Sequence, residues 1–258
     1  MNTTSYLGAL PDSRPRIFAH RGLVFKGATQ VVDENTLDSF ALALEAGADY
    51  LETDLQLTKD KVPVLFHDSD LARLLGSKTL IASLTLAELK NVRLPFGGVI
   101  PTLQEALEMY SEAKFNLDFK SPRTEAPGMA VVIALGALDR VLVSSFSESS
   151  RKRALSHSPV KIASSAGSSM VLASYALAKL KLSKALADTL KNVNALQLPT
   201  KMYGIDFTHP RFVEQILNQN KEIHYWTVND PTEMQNLFAL GAHGIVTDRT
   251  DIARQVFS

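Results

Sequence analysis

The chain has 258 residues, with 27 basic side chains balancing 27 acidic ones and no cysteine. A formal net charge of zero, without any Lys/Arg block, argues against a nucleic-acid-binding surface. The missing cysteines exclude disulfides and thiolate metal sites and are compatible with a cytoplasmic location.

The length suits one domain, residues 1–258, and matches the usual size of a (β/α)8 barrel. Residues 1–14 are polar, small and Pro-containing; they lack the charged start and apolar core of a secretory signal and read as a loosely held leader. The first strand is expected at Arg16–His20, followed by a helix over Thr36–Ala46, with Asn35 as its cap and Gly47 just past its end. A second strand, Tyr50–Gln56, is followed by a turn around Lys59-Asp60-Lys61 and an extra strand, Val62–Phe66. So short a connection joins antiparallel neighbours. Residues 70–101 interrupt the alternation with one short helix, Leu86–Asn91, where Thr85 and Glu88 are spaced as a capping box. The segment reads either as a structural loop or as a small insertion over the mouth of the barrel.

Strands are then expected at Phe115–Phe119, Val141–Ser145, Val160–Ser164, Ala195–Leu198, His224–Val228 and Gly244–Thr247. Many are short runs of Val, Ile, Leu and Phe, the pattern of strands covered on both faces. Helices fit between them at Leu103–Ala113, Glu125–Leu138, Glu148–Ser156, Met170–Lys191, Pro210–Asn220 and Pro231–Leu240, with Thr102 and Asp230 as caps. The Met170–Lys191 stretch, apolar on several faces with Lys at intervals, reads as an outer-ring helix rather than one lying on a membrane. No run of about 18 apolar residues is available to span a membrane. Eight βα alternations in this length argue for a closed α/β barrel over an open sheet.

The chemistry concentrates in the first third. Glu52 and Asp54 are two apart in a strand, so both leave the same face. Folding back about Asp60 sets His67 opposite Thr53–Asp54. Buried carboxylates need a cation. Lys or Arg partners would serve, and so would a hard divalent ion. His20 and His67 titrate near neutrality and are each beside a charged residue, Arg21 or Asp68, which makes them the acid–base candidates. His157, His209, His224 and His243 lack such a setting and are read as structural or surface. Arg21 and Lys120 suit a phosphoryl group, although Arg21 has Glu34 or Glu52 as an alternative partner. In a barrel, functional groups stand at the carboxyl ends of strands. His20, Asp54, Asp118 and Trp226 fall near such ends, and Gln197 lies at another.

The segments AHRG at 19–22, ENTLDSF at 34–40, LETDLQLTKDKVPVLFHD at 51–68, NLDFK at 116–120, VSSF at 143–146, YWTVND at 225–230 and GAHGIVTDR at 241–249 occur in this order. Together they resemble the glycerophosphodiester phosphodiesterase family. The resemblance implies a (β/α)8 TIM barrel with a small insertion after the second-strand hairpin. It further implies hydrolysis of a small-molecule phosphodiester to sn-glycerol 3-phosphate and an alcohol. It implies one divalent cation, Mg2+ or Ca2+, on Glu52, Asp54 and Asp118, with His20 and His67 catalytic and Trp226 lining the substrate pocket. The family usually has glutamate where this chain has Asp118, which bears on metal affinity, and Asp118 has Lys120 as an alternative partner. Trp226 would otherwise be a core tryptophan. Sphingomyelinase D-like and lysophospholipase D-like enzymes share the fold, and a long-chain substrate would require an exposed apolar groove. A barrel that binds phosphorylated ligands without turnover is the third reading.

Overall fold

The computed structural model describes residues 6–8 and 14–258. Eight parallel strands form the barrel: β1 Arg16–His20, β2 Tyr50–Leu57, β3 Lys114–Phe119, β4 Val141–Ser144, β5 Ala163–Ser164, β6 Ala195–Leu198, β7 Glu222–Tyr225 and β8 Gly244–Thr247. Their order around the sheet is β5-β4-β3-β2-β1-β8-β7-β6. The ring closes between β5 and β6 through a parallel bridge, Ser165 to Ala195. Pro63–Leu65 pairs antiparallel with β2, with Leu55 opposite Leu65. The hairpin therefore folds as its short turn requires, and the amide of Phe66 donates to the carbonyl of Asp54 at 3.0 Å.

The outer ring comprises α1 Leu37–Glu45, α2 Leu103–Met109, α3 Glu125–Ala134, α4 Glu148–Ser156, α5 Ser168–Lys179, α6 Ser183–Leu190, α7 Pro210–Leu217, α8 Pro231–Leu240 and α9 Thr250–Val256. The single helix expected over Met170–Lys191 is two, α5 and α6. The chain turns at Lys181, whose φ is +56°. Small and apolar residues are buried on both sides of the break, Val171 and Ala178 in α5 and Leu186 and Leu190 in α6, so the pattern does not mark the turn. Among the described residues no helix is long and apolar enough to cross a membrane.

Several boundaries also shift. The cap of α1 is Thr36, not Asn35. Thr36 Oγ1 accepts from the Ser39 amide while Ser39 Oγ accepts from the Thr36 amide. Asn35 is released from that task and takes a left-handed φ of +54°. The Val160–Ser164 strand shrinks to Ala163–Ser164, and His224–Val228 moves back to Glu222–Tyr225. The helix at the chain end, α9, and two short antiparallel pairs, Phe25–Lys26 with Thr29–Gln30 and Lys201–Met202 with Ile205–Asp206, carried no strong periodicity and were not expected.

The leader needs correcting where it is described. Tyr6 and Leu7 are buried, with the Tyr6 ring 4.9 Å from that of Tyr50. The carbonyls of Tyr6 and Leu7 accept from the Tyr50 hydroxyl, and Arg14 pairs with Asp49. Aromatic burial, invisible as periodicity in so short a segment, holds these residues at the amino end of the barrel. Residues 1–5 and 9–13 of the leader lie outside the described residues.

The same end holds a buried polar cluster. Arg16 donates to Glu222 at 2.9 and 3.0 Å and to the Tyr50 hydroxyl at 3.1 Å, and His224 Nε2 lies 2.9 Å from Glu222. Burial opposes ionisation of Glu222, but His224 and Arg16 prevail and bring its carboxyl down to about 2. A depressed carboxyl stabilises the fold above its unfolded pKa, and that contribution is lost as pH falls from about 4.3 toward the folded value. Glu222→Gln should therefore cost about 3 kcal/mol at pH 7, as breaking a buried pair does. The difference in melting temperature from the parent should narrow at pH 3. An equal difference at both pH values would remove the ionised carboxylate from the explanation.

Residues 70–101 fold over the hairpin around their own apolar cluster, which includes Val64, Phe66, Leu71, Ile81, Leu89 and Ile100. The capping box is present: Thr85 accepts from the Glu88 amide and the Glu88 carboxylate accepts from the Thr85 amide. Asp33 accepts from the amides of Phe96 and Gly98, tying the far end of the segment to the β1–α1 connection. The segment thus has a structural core of its own and reaches the mouth of the barrel through Arg73.

Candidate active site

The carboxyl ends of the strands open into a cavity of about 340 Å³. His20, Arg21, Glu52, Asp54, His67 and Asp118 line it, as do Lys120, Gln197 and Trp226. All nine residues singled out from the sequence are thus brought together. The β2–β3 register explains part of this, since it places Asp54 beside Asp118, and the β1–β2 register places His20 beside Glu52.

Two histidine–aspartate pairs enter the cavity. His20 Nδ1 donates to Asp248 Oδ1 at 2.7 Å, and His67 Nδ1 donates to Asp68 Oδ1 at 2.8 Å. Each contact fixes the ring and leaves Nε2 for other work. Burial disfavours the charged form of His20, but the Asp248 hydrogen bond and the nearby Glu52 charge prevail and raise its pKa. Asn229 holds Asp248 from behind through its Nδ2 at 2.7 Å.

The carboxylates form the floor. Glu52 is pushed up to about 8 by burial and by the adjacent Asp54, with His20 and Arg21 only partly offsetting this. Burial would also raise Asp54, but Lys120 and Arg21 hold it below the usual carboxylate range. Lys120 Nζ stands 3.3 Å from Asp54 and 2.8 Å from Asp118, and Arg21 Nε stands 3.3 Å from Asp54. Burial raises Asp118 despite Lys120. Asn35 Nδ2 donates to Asp54 at 3.1 Å and its Oδ1 accepts from Thr53 at 2.6 Å, which is the use of its unusual backbone. Arg21 is also left-handed, at φ +58°, and its amide donates to the Glu52 side chain at 3.1 Å. Strain of this kind persists where surrounding contacts over-determine the conformation.

These residues match a hard divalent cation in donor chemistry. Asp118 Oδ1 is buried without a hydrogen-bond partner, and the raised Glu52 marks a shortage of positive charge. Their positions are less ready: among the described residues no three such side chains converge as a metal-holding group. Lys120 instead bridges Asp54 and Asp118, as the alternative partnership of Asp118 anticipated.

Several site residues escaped the sequence reading. Asp248 follows β8, and a carboxylate directly after an apolar strand was its available signal. Asn35 was read as a cap. Phe146, beyond β4, packs edge-on against Trp226 at 5.6 Å, and Lys120 Nζ lies 4.8 Å from its ring centre. Arg73 pairs with both Asp68 and Glu34, and Glu34 pairs with Arg21. Nothing local distinguishes Arg73 from any exposed arginine.

Comparison with known proteins agrees with this geometry. The model of the glycerophosphoryl diester phosphodiesterase family matches residues 20–252. The chain is 33% identical over 240 residues to a probable glycerophosphodiester phosphodiesterase 2 of Mycobacterium tuberculosis, covering 92% of this chain and 89% of the relative. A crystal structure of a putative glycerophosphoryl diester phosphodiesterase from Silicibacter pomeroyi shares the fold with a TM-score of 0.78 at 22% identity, covering 98% and 97% of the two chains. A phosphodiesterase from Oleispira antarctica, solved with the product sn-glycerol-3-phosphate, aligns with a TM-score of 0.71 at 25% identity over 96% of each chain. The chain belongs to the glycerophosphoryl diester phosphodiesterase family and is an enzyme, a phosphoric diester hydrolase acting on glycerophosphodiesters.

Proposed function

We propose that this single barrel hydrolyses deacylated phospholipid headgroups to sn-glycerol 3-phosphate and an alcohol, by paired histidine acid–base catalysis that depends on one divalent cation. The observation that carries the reading is the meeting of two His–Asp pairs with three buried carboxylates and two cations in one cavity. Divalent-metal dependence is general in the family. Glu52, Asp54 and Asp118 would hold the ion, Mg2+ or Ca2+. When bound it would draw charge from the phosphate oxygens.

The chain's own groups do the rest. Arg21 and Lys120 stand where two phosphoryl oxygens need positive charge, and that charge counts for more as the transition state becomes more negative. One histidine takes the proton of the attacking hydroxyl, and the other protonates the departing alkoxide. Asp248 and Asp68 keep each imidazole in the tautomer with Nε2 facing substrate. Trp226 packs on the carbon skeleton, and Gln197 offers its amide to a hydroxyl.

The test is release of glycerol 3-phosphate from glycerophosphocholine by purified protein, first with EDTA and then with Mg2+, Ca2+ or Mn2+ restored. Turnover that disappears with EDTA and returns with an ion supports the reading. Full turnover in EDTA would remove the metal from it.

Asp248→Asn keeps an acceptor for His20 but removes the charge. It should lower kcat by about tenfold or more, within the 10–100-fold typical of such supporting groups. His20 loses the contact that raises its pKa, so its limb of the pH–rate profile should move to lower pH. An unmoved profile would mean that Asp248 orients His20 without tuning it.

A further inference from the structure

Arg73 lies in a single helical turn, Ala72–Leu75, closed by Gly76 in the left-handed region at φ +69°. The turn is anchored at its start. The Leu71 side chain is buried in the apolar cluster of residues 70–101, and its amide donates to the Thr79 carbonyl at 3.1 Å. The Asp70 carboxylate accepts from the Ala72 amide at 2.9 Å. From this fixed base the Arg73 guanidinium bridges two carboxylates from separate parts of the chain. Its Nε donates to Asp68 Oδ2 at 2.6 Å. Its two terminal nitrogens donate to Glu34 Oε2 at 3.1 Å and Oε1 at 2.5 Å, a paired contact that fixes the plane of the group.

Each carboxylate also serves a residue of the site. Asp68 Oδ1 accepts from His67 Nδ1 at 2.8 Å, and Glu34 Oε1 accepts from Arg21 at 3.2 Å. The two depend on Arg73 to different degrees. Arg21 has a second anchor in Asp54 at 3.3 Å, and its backbone amide donates to Glu52. Among the described residues the His67 ring has Asp68 as its one hydrogen-bond partner, and the Asp68 carboxylate has only His67 and Arg73. Without Arg73, nothing would hold Asp68 except the ring that it orients.

We propose that Arg73 is a positioning residue for His67, acting through Asp68, and that residues 70–101 are thereby a working part of the active site. The inference rests on the diesterase reading, in which His67 carries a proton. Arg73 does not line the cavity, so it acts on the reaction only through its partners. A guanidinium suits the task, because its planar fork satisfies two carboxylates in fixed directions and the compact ammonium of lysine does not.

The test is a cycle of Arg73→Met and His67→Ala, singly and together, in the full chain with glycerophosphocholine and the ion that restores turnover. Arg73→Met should lower kcat by roughly 10–100-fold, since a misplacement of about 1 Å costs up to about 10²-fold. KM should change much less, because Arg21 keeps its other anchors. The Arg73 side chain is 42% exposed, so its loss opens no hole in the core and the melting temperature should stay near that of the parent. In the His67→Ala background, assayed at high enzyme concentration, the same substitution should cost less than about twofold, because groups acting as a unit are not additive. Arg73→Lys should recover part of kcat. A parent-like kcat in Arg73→Met would overturn the proposal. So would an equal fold-loss in both backgrounds, which would make Arg73 a general fastening of residues 70–101. Should Arg73→Met fail to fold, Arg73→Lys goes through the same cycle under the same two criteria. No turnover by the parent chain would instead strike the diesterase reading, and the inference would fall with it.

Discussion

His20→Ala and His67→Ala should each lower kcat for glycerophosphocholine by roughly 10²–10⁴-fold, with much smaller changes in KM. An alkoxide is a poor leaving group, and the attacking hydroxyl is a poor nucleophile until its proton is taken. On the proposed mechanism, losing either proton carrier exposes the full barrier of its proton-transfer step. Both rings are partly open to the cavity and hydrogen-bonded to aspartates, so neither substitution opens a hole in the apolar core. A melting temperature close to that of the parent should accompany the lost activity. Steady-state kinetics on both variants provides the check. A variant that keeps a tenth or more of the parent rate would take that histidine out of proton transfer. The double variant should lose little beyond the worse single one, because groups acting as a unit are not additive.

Lys120→Met should reduce kcat/KM by about 10²–10³-fold, the range found when one electrostatic donor is removed from a transition-state site. Lys120 has two duties. In the proposed mechanism it faces the substrate phosphate, and it neutralises Asp54 and Asp118 at 3.3 and 2.8 Å. Burial lowers the pKa of its ammonium, but the two carboxylates outweigh burial and raise it, so it stays charged throughout the neutral range. Without it, Asp118, already raised by burial, would take up a proton more readily. Lys120→Arg should recover part of the activity, since the charge is kept but the planar guanidinium cannot sit as a compact point between two carboxylates. Comparing the two variants separates charge from shape. Equal loss in both would assign Lys120 a purely geometric role, and no loss in either would take it away from the phosphate.

How far the site was legible depended on how local each contact is. Glu52 and Asp54 share a face by the period of a strand, and the three-residue turn around Asp60 forces the hairpin that returns His67 to them. Those relations need no knowledge of the rest of the molecule. His20, Asp118, Gln197 and Trp226 were readable as strand-end residues once the barrel was inferred from the βα alternation. Asp248, Arg73 and Phe146 were not. Asp248 and Phe146 meet their partners across large sequence separations, such as the 228 residues from His20 to Asp248, and Arg73 links nearby Asp68 to Glu34, 39 residues away. Only the closing of the sheet, with β1 between β2 and β8, brings His20 and Asp248 together.

The same distinction runs through the fold. Most strand and helix positions, the Thr85–Glu88 capping box and the antiparallel hairpin follow from short-range periodicity and turn chemistry, which the sequence by itself determines. The break between α5 and α6 did not, because Leu and Ala continue through it, and only the left-handed turn at Lys181 divides the pattern. Nor did the burial of Tyr6 and Leu7, whose carbonyls accept from Tyr50 at the barrel's amino end while Arg16 donates to the carbonyl of neighbouring Gly8. Ordering by charge was decided last. Sequence names the carboxylates and the cations, but Glu52 rises and Asp54 falls because Asp54 alone lies between Arg21 and Lys120. The desolvation and Coulomb forces responsible act over a few ångströms in space. Only the closed barrel sets those distances.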